Sequence, residues 1–474
     1  MNDAAHEHAQ PRNAITCRWC GAESQTAGQP CQQCDHYIVD LPPWAEQLPS
    51  QQKWLNRKRV IRFGIIATVL TFLIWLNYPF LPDPAIILFK RPTSDLSSAS
   101  QPGQWSMIGW NSQKTRYLPD VTNQPKGEVL WSRHLGTNTL SSPTVADGVI
   151  YMGAHFRVIA LEADTGDLIW ERDATGPVHS SPAVAGDSLY LGFLDHRIMA
   201  MNRSDGQTRW LVKTEDAVSA SPTVSKGIVY IGGWDGITYA LDASSGKVIW
   251  KTQVVSSTRS SVAIHDGLAY TTDTEGNLYI LNARTGQKRH RFRTPGGNTD
   301  SPVAANGLVY FNSSGKVYAI DAKAREIPGE LQFKKVWAQF WLWQIPGVPK
   351  PPGQKGGRWR FSPDSEDAGI ISPPAVADSV LYAGDTHGIF YARDGIDGSE
   401  VWRLQADGAI SASPVVLGNL IYFGTRNGTL YALDRSSGEL IWQIFLGAPI
   451  EAAPAFAQGR IYIRTSDGQL HAIQ

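Results

Sequence analysis

Four cysteines are the first residues in this chain with the types and spacing for chemistry. Cys17, Cys20, Cys31 and Cys34 form the pattern C-x2-C-x10-C-x2-C, and the 440 residues after Cys34 contain no cysteine. Two C-x2-C hairpins can close a tetrahedral thiolate site, which Zn2+ favours. A segment this short needs such a staple to fold. A redox dithiol and a rubredoxin-like iron site are the rivals, but no βαβ pattern of a thioredoxin unit surrounds the pairs. Four protein ligands would leave the metal no open position, so its role would be structural. Gly21 suits the turn after the first pair, whereas Asp35 departs from it.

A second group of candidates is acidic. Asp195, Asp235, Asp273, Asp385 and Asp467 recur in or beside equivalent turns, where carboxylates spread around a rim could offer Ca2+ hard oxygen ligands. Asp is equally the ordinary residue of such turns. His155, His196 and His387 fall in similar loops without metal-ligand spacing. A third group is aromatic and basic: Phe340, Trp341, Trp343, Arg358, Trp359 and Arg360, in a stretch where regular spacing fails. Exposed aromatics beside arginine are what protein interfaces use as anchors, so these six are the expected partner-binding residues. The alternative is a loop that plugs the mouth of the fold. With 43 basic and 43 acidic residues the chain carries no global field favouring nucleic acid. The cysteine segment resembles the small zinc ribbons at the N-termini of many bacterial membrane proteins.

The elements that must position these groups follow from a repeat. Ala160–Trp170, Ala200–Trp210, Ala240–Trp250 and Ala432–Trp442 are near-copies: a short strand, a polar turn closed by Gly, and a strand ending in Trp. Opening steps stand at Pro143, Pro182, Pro222, Val262, Pro302, Pro374, Pro414 and Pro454, most preceded by Ser. Asn-Gly and Asp-Gly pairs between apolar runs mark the hairpins. Four antiparallel strands in about forty residues make one propeller blade, so the expected fold is all-β, an eight-bladed propeller. The last unit lacks its Trp strand, and an orphan copy, Glu128–Gly136, is expected to close the ring. Trp131, Trp170, Trp210, Trp250, Trp337, Trp402 and Trp442 read as packing between blades, with His290 in the fourth blade's slot. From Pro302 to Pro374 the repeat stretches to 72 residues, and the excess is expected after Trp337, on the face of the Asp-Gly second turns.

The repeat A-x-D-x-x-(T/S)-G-x-x-x-W, with the lead-in Gln104-Trp105-Ser-Met-Ile-Gly109-Trp110 and Thr115-Arg116-Tyr117, resembles the PQQ-like propeller superfamily. That resemblance implies either a PQQ- and Ca2+-dependent dehydrogenase of alcohols or sugars, or a non-enzymatic scaffold of the BamB type. Near-minimal blades favour the scaffold, with a protein partner on the insertion and a possible place in envelope protein assembly. No cofactor ligand transfers to a numbered position.

Ahead of the propeller, Phe63 to Leu81 is almost wholly apolar, about the length that spans a bilayer. Lys53, Arg57, Lys58, Arg59 and Arg62 precede it, so the positive-inside rule places the N-terminus in the cytosol and the propeller in the periplasm or outside the cell. The expected organisation is a cytoplasmic zinc-ribbon segment (1–40), a linker (41–59), a transmembrane helix (60–81), a tether (82–104) and the propeller (105–474) with an insertion at 338–370. A single-pass sensor coupling a propeller ligand to the ribbon is a further alternative.

Overall fold

The computed structural model describes residues 16–17, 20–23, 29–36, 59–71, 83–98, 103–121, 123–136, 140–297, 300–327 and 330–474. They fall into two units, residues 1–76 and 77–474.

In the first unit, residues 59–71 form helix α1. The expected transmembrane helix over 60–81 is corrected here: no helix among the described residues is long and apolar enough to cross a membrane. At about 1.5 Å per residue the described part of α1 rises roughly 20 Å, against ~30 Å for the hydrocarbon core. The remaining residues of that expectation, 72–81, lie outside those described. The length of the apolar run and the basic residues before it carried that expectation, and the single-pass location in the cell membrane is corrected with it.

The second unit holds eight sheets. Its third blade shows the plan, with strands Thr223–Ser225, Ile228–Gly232, Ile237–Asp242 and Val248–Gln253 paired in order. The second and third strands are buried along their whole length. The outermost strands alternate instead, as Leu440–Phe445 does, because they face a neighbour on one side and solvent on the other. Each outer strand carries a register shift just before its Trp or, in the fourth blade, His290: Trp250 pairs with Ala240 but Val248 with Leu241, which leaves Ile249 as the extra residue. Such a bulge adds a residue and re-aims the next side chain.

What the Trp is aimed at explains the repeat. Trp210 Nε1 and Tyr190 Oη both donate to the carbonyl of Ala243 in the next blade, at 2.9 and 3.0 Å. Trp250 and Tyr230 do the same to Ala283. The Gly of the receiving turn lies on the indole face: a Cβ on Gly246 would stand 2.7 Å from Trp210, and its φ of +70° is already unfavourable to other residues. The Ser of the opening step joins blades nearer the axis. Ser142 N donates to Ser181 Oγ, Ser181 N to Ser221 Oγ and Ser261 N to Ser301 Oγ, at 2.8 to 2.9 Å.

The ring closes as expected. Val129–His134 pairs antiparallel with Gln469–Ile473, completing the eighth blade with a strand from the other end of the domain. Trp131 then donates to Ala163 O in the first blade.

The fifth blade differs from expectation. Its fourth strand is Gly357–Phe361, and Trp359 pairs with Ala319 as Trp250 pairs with Ala240. Trp337 lies instead on helix α3, Glu330–Leu342. The departure from the repeat therefore sits between the third and fourth strands, from Asp321 to Gly357. It occupies the face of the polar Gly turns, opposite the face inferred from a position after the outer strand. Counting along the chain cannot see this, because register is set by pairing across the insertion.

Residues 103–121 cross the axis of the ring. Their backbone bonds the inner strands of successive blades: Trp105 with Val145, Ser106 with Val184, Ser112 with Ile264, Gln113 with Ala304, Thr115 with Val376 and Arg116 with Val416. Inner strands present an unpaired edge to the axis, and this segment satisfies it. The preceding residues are strapped down as well. In helix α2, Pro84–Phe89, Ile86 is buried among residues of the third and fourth blades. Thr93 N donates to Asp242 at 2.6 Å.

Candidate functional sites

The cysteine cluster is built from two matching knuckles. Cys17 N donates to Ala22 O and Gly21 N to Cys17 O; Cys31 N donates to His36 O and Asp35 N to Cys31 O, all at 2.8 to 2.9 Å. Gly21 has φ +77° and Asp35 φ +61°. Asp35 thus takes up the left-handed conformation that Gly21 supplies, one that a short polar side chain tolerates. Cys17 Sγ is 3.6 Å from Cys34 Sγ, and Cys20 Sγ is 3.5 Å from Cys31 Sγ. All four ligand atoms lie within 4.8 Å of one another. Zn–S bonds of about 2.3 Å in a tetrahedron give sulfur separations of about 3.8 Å, close to the two shortest here, so these four cysteines could bind a metal.

The rim acids do not converge. Asp235 accepts from Ile237 N and Tyr239 Oη within its own blade. Asp273 accepts from Asn277 and Tyr279, and Asp385 from Ile389 N and Tyr391. Asp195 is held by Arg197 at 2.9 Å, and Asp467 by Thr465 at 2.6 Å. Each carboxylate shapes the turn it stands in. Among the described residues, the cysteines are the only cluster of three or more His, Cys, Asp or Glu side chains that could hold a metal. The rim acids, each engaged within its own blade, therefore do not fit a Ca2+ site.

The axial segment brings charged groups into the core, which sequence reasoning did not anticipate. Lys114 and Arg116 are buried. Lys114 Nζ donates to Ile108 O at 3.1 Å, and burial, reinforced by Arg116, pushes its pKa well down. Arg116 Nη1 donates to Lys114 O at 2.9 Å, and burial lowers its pKa to about 10, against the pull of Asp300. Burial pushes Asp300 up to about 7, opposed by a hydrogen bond from Asn312 and by Arg116. The lead-in motif was visible in sequence, but each of its contacts is to a different blade, so no local pattern announced the burial. Trp234 and Arg259 were also missed. The Arg259 guanidinium lies 3.9 Å over the Trp234 ring, whose Nε1 donates to Ser219 at 2.8 Å.

The six expected partner-binding residues are divided. Trp359 is half-buried in a clamp: its Nε1 donates to Gly395 O at 2.9 Å, where Tyr310 Oη also donates. A Cβ on Gly398 would stand 2.8 Å from its ring. Arg358 pairs with Asp321 at 2.7 Å on the same outer strand, and Arg360 is exposed there. Phe340, Trp341 and Trp343 belong to the helical arm and are exposed, Trp343 by 63%.

The arm is fastened at its base. Glu326 N donates to Arg289 O, and Gln354 exchanges two hydrogen bonds with the Arg293 backbone. His290 Nε2 lies 3.0 Å from Lys355 O. The missing Trp of the fourth blade is thus explained: the turn its indole would clamp has become the insertion, and His290 holds the returning strand. Glu330 accepts from Lys355 at 2.8 Å and pairs with Lys334 at 3.0 Å. Burial would raise its pKa, but Lys355, the Ile327 N–H and Lys334 hold it at about 2.

Eight blades, seven of them carrying a Trp–carbonyl clamp, define a PQQ-like β-propeller. The chain belongs to the family whose sequence model is described as "Outer membrane protein assembly factor BamB", matched over residues 120–327, 334–430 and 397–474. Among solved structures it is similar to BamB from Moraxella catarrhalis, with TM-score 0.57 and 16% identity over 73% of this chain and 97% of that one. It is also similar to quinohemoprotein alcohol dehydrogenase from Comamonas testosteroni, with TM-score 0.61 and 16% identity over 79% and 81%. A third likeness is to the computationally designed Ika8 protein, with TM-score 0.59 and 15% identity over 73% and 98%. At these identities the likeness is one of fold. A search of curated protein sequences finds no match.

Proposed function

We propose that this propeller is a protein-binding scaffold, with the helical arm as its contact surface and protein assembly, the process named in the family description, as its setting. One observation carries the reading. Where other blades have a tight Gly turn, the fifth has an arm whose Phe333, Val336, Phe340, Trp341 and Trp343 are exposed. Apolar surface of this kind is kept out of water by a partner.

Restoring the repeat tests it. Residues 322–356 would be replaced by the third blade's turn, Ala243–Lys247, together with His290→Trp. The ring should stay folded, and a partner that co-purifies with the unaltered chain should be lost. Undiminished recovery of that partner would contradict the reading.

We further infer that the cysteine cluster holds structural Zn2+, supported by the sulfur separations and the two matching turns. Elemental analysis should find about one zinc per chain, lost in Cys20→Ser. Iron in its place, with visible absorbance, would overturn the assignment.

A further inference from the structure

We propose that the arm docks as one face of a helix into an apolar groove on a protein whose surface is net negative. The proposal rests on the scaffold reading above and specifies its partner.

Spacing is the first argument. Phe333, Val336, Phe340 and Trp343 stand at i, i+3, i+7 and i+10, which aligns them in one stripe along α3 and the turn after it. Their exposures are 65, 52, 41 and 63%. This is the pattern of anchors with which a helix enters a groove. The uncharged amides Gln339 and Gln344 border the stripe.

The second argument is what the chain already covers. The neighbouring stripe holds Trp337 and Trp341. Trp337 Nε1 donates to Pro349 O at 2.8 Å, and Lys350 Nζ lies 5.9 Å over the Trp341 ring. The returning chain thus occupies the Trp337 flank and leaves the stripe beside it free; toward the tip Trp341 (40%) and Leu342 (64%) are exposed as well.

Charge is the third argument. The chain as a whole is balanced, but from 323 to 356 Lys323, Arg325, Lys334, Lys335, Lys350 and Lys355 face only Glu326 and Glu330. Glu330 is taken up by Lys334 and Lys355. The remaining positive charge steers the arm toward carboxylates.

In-cell photo-crosslinking on the full chain tests this. Benzoylphenylalanine is placed singly at Phe333, Val336, Phe340 and Trp343, and off the stripe at Lys335 and Gln339. The expected result is adducts from the stripe positions alone, all to one protein, at apolar residues neighboured by Asp or Glu. With that protein purified, yield should fall roughly tenfold between about 50 and about 500 mM NaCl. Adducts to phospholipid, adducts to a second copy of this chain, or equal yields from Lys335 and Gln339 would overturn the groove. So would a yield indifferent to salt. Absence of protein adducts from every position would overturn the scaffold reading as well.

Discussion

Trp359 and Trp343 lie in one aromatic and basic stretch, and sequence alone gives them the same role. The structure sends them to opposite ends of the energetic scale. Trp359 lies against Gly398 and donates to Gly395 O, closing the seam between the fifth and sixth blades. Trp343 is 63% exposed. The difference teaches that residue type does not decide between architecture and interface. What decides is whether the residue falls on a strand whose register the neighbouring strand dictates.

The comparison can be broken at three strengths. The largest effect should come from deleting residues 128–134. This removes Trp131, a clamp of the same kind, and bares the Gln469–Ile473 edge. The shortened ring should lose its single cooperative transition and self-associate in sedimentation. A monomer with unchanged melting would deny that the clamps hold the ring closed.

A middle effect should come from Gly398→Ala. The new methyl would stand 2.8 Å from the Trp359 ring at a φ of +78°. A loss of about 1–3 kcal/mol is expected in denaturant unfolding. Gly347→Ala in the arm, also at positive φ but with nothing within 4 Å, should cost less. Equal costs would remove the distinction between seam and arm.

The third break is in pH dependence, where ring and arm should differ in sign. Asp300 in the ring is raised from 3.8 to about 7. Its folded form binds the proton more tightly, so its contribution to stability declines as pH rises from about 4 to about 7. Asp300→Asn should flatten that slope. Glu330 in the arm is lowered from 4.5 to about 2. Its contribution is present above about 4.5 and is lost as pH falls toward 2. Glu330→Gln should therefore leave the slope between pH 4 and 7 unchanged. An Asp300→Asn slope identical to that of the unaltered chain would refute the first assignment.

The blade count, the closing strand and the inter-blade Trp residues were legible because the repeat is local: each strand, turn and Trp recurs within about forty residues. The cysteine cluster was legible for the same reason, its ligands standing in two short hairpins. The axial segment was not, although Trp105 and Arg116 were visible, because its contacts are to blades far along the chain. The fifth blade misled for a related reason. Trp337 comes first after the third strand, but only the ladder with Lys316–Asp321 shows that Trp359 fills the slot. The spanning helix was read from the length of an apolar run, but no helix among the described residues is long and apolar enough to cross a membrane.

The central claim is the division between Trp359 and Trp343, and equilibrium unfolding of Trp359→Ala beside Trp343→Ala tests it most directly. Loss of a packed indole should cost about 3–5 kcal/mol in the first variant. The second should stay within about 0.5 kcal/mol of the unaltered chain. Equal destabilisation, or a larger loss in Trp343→Ala, would contradict the account.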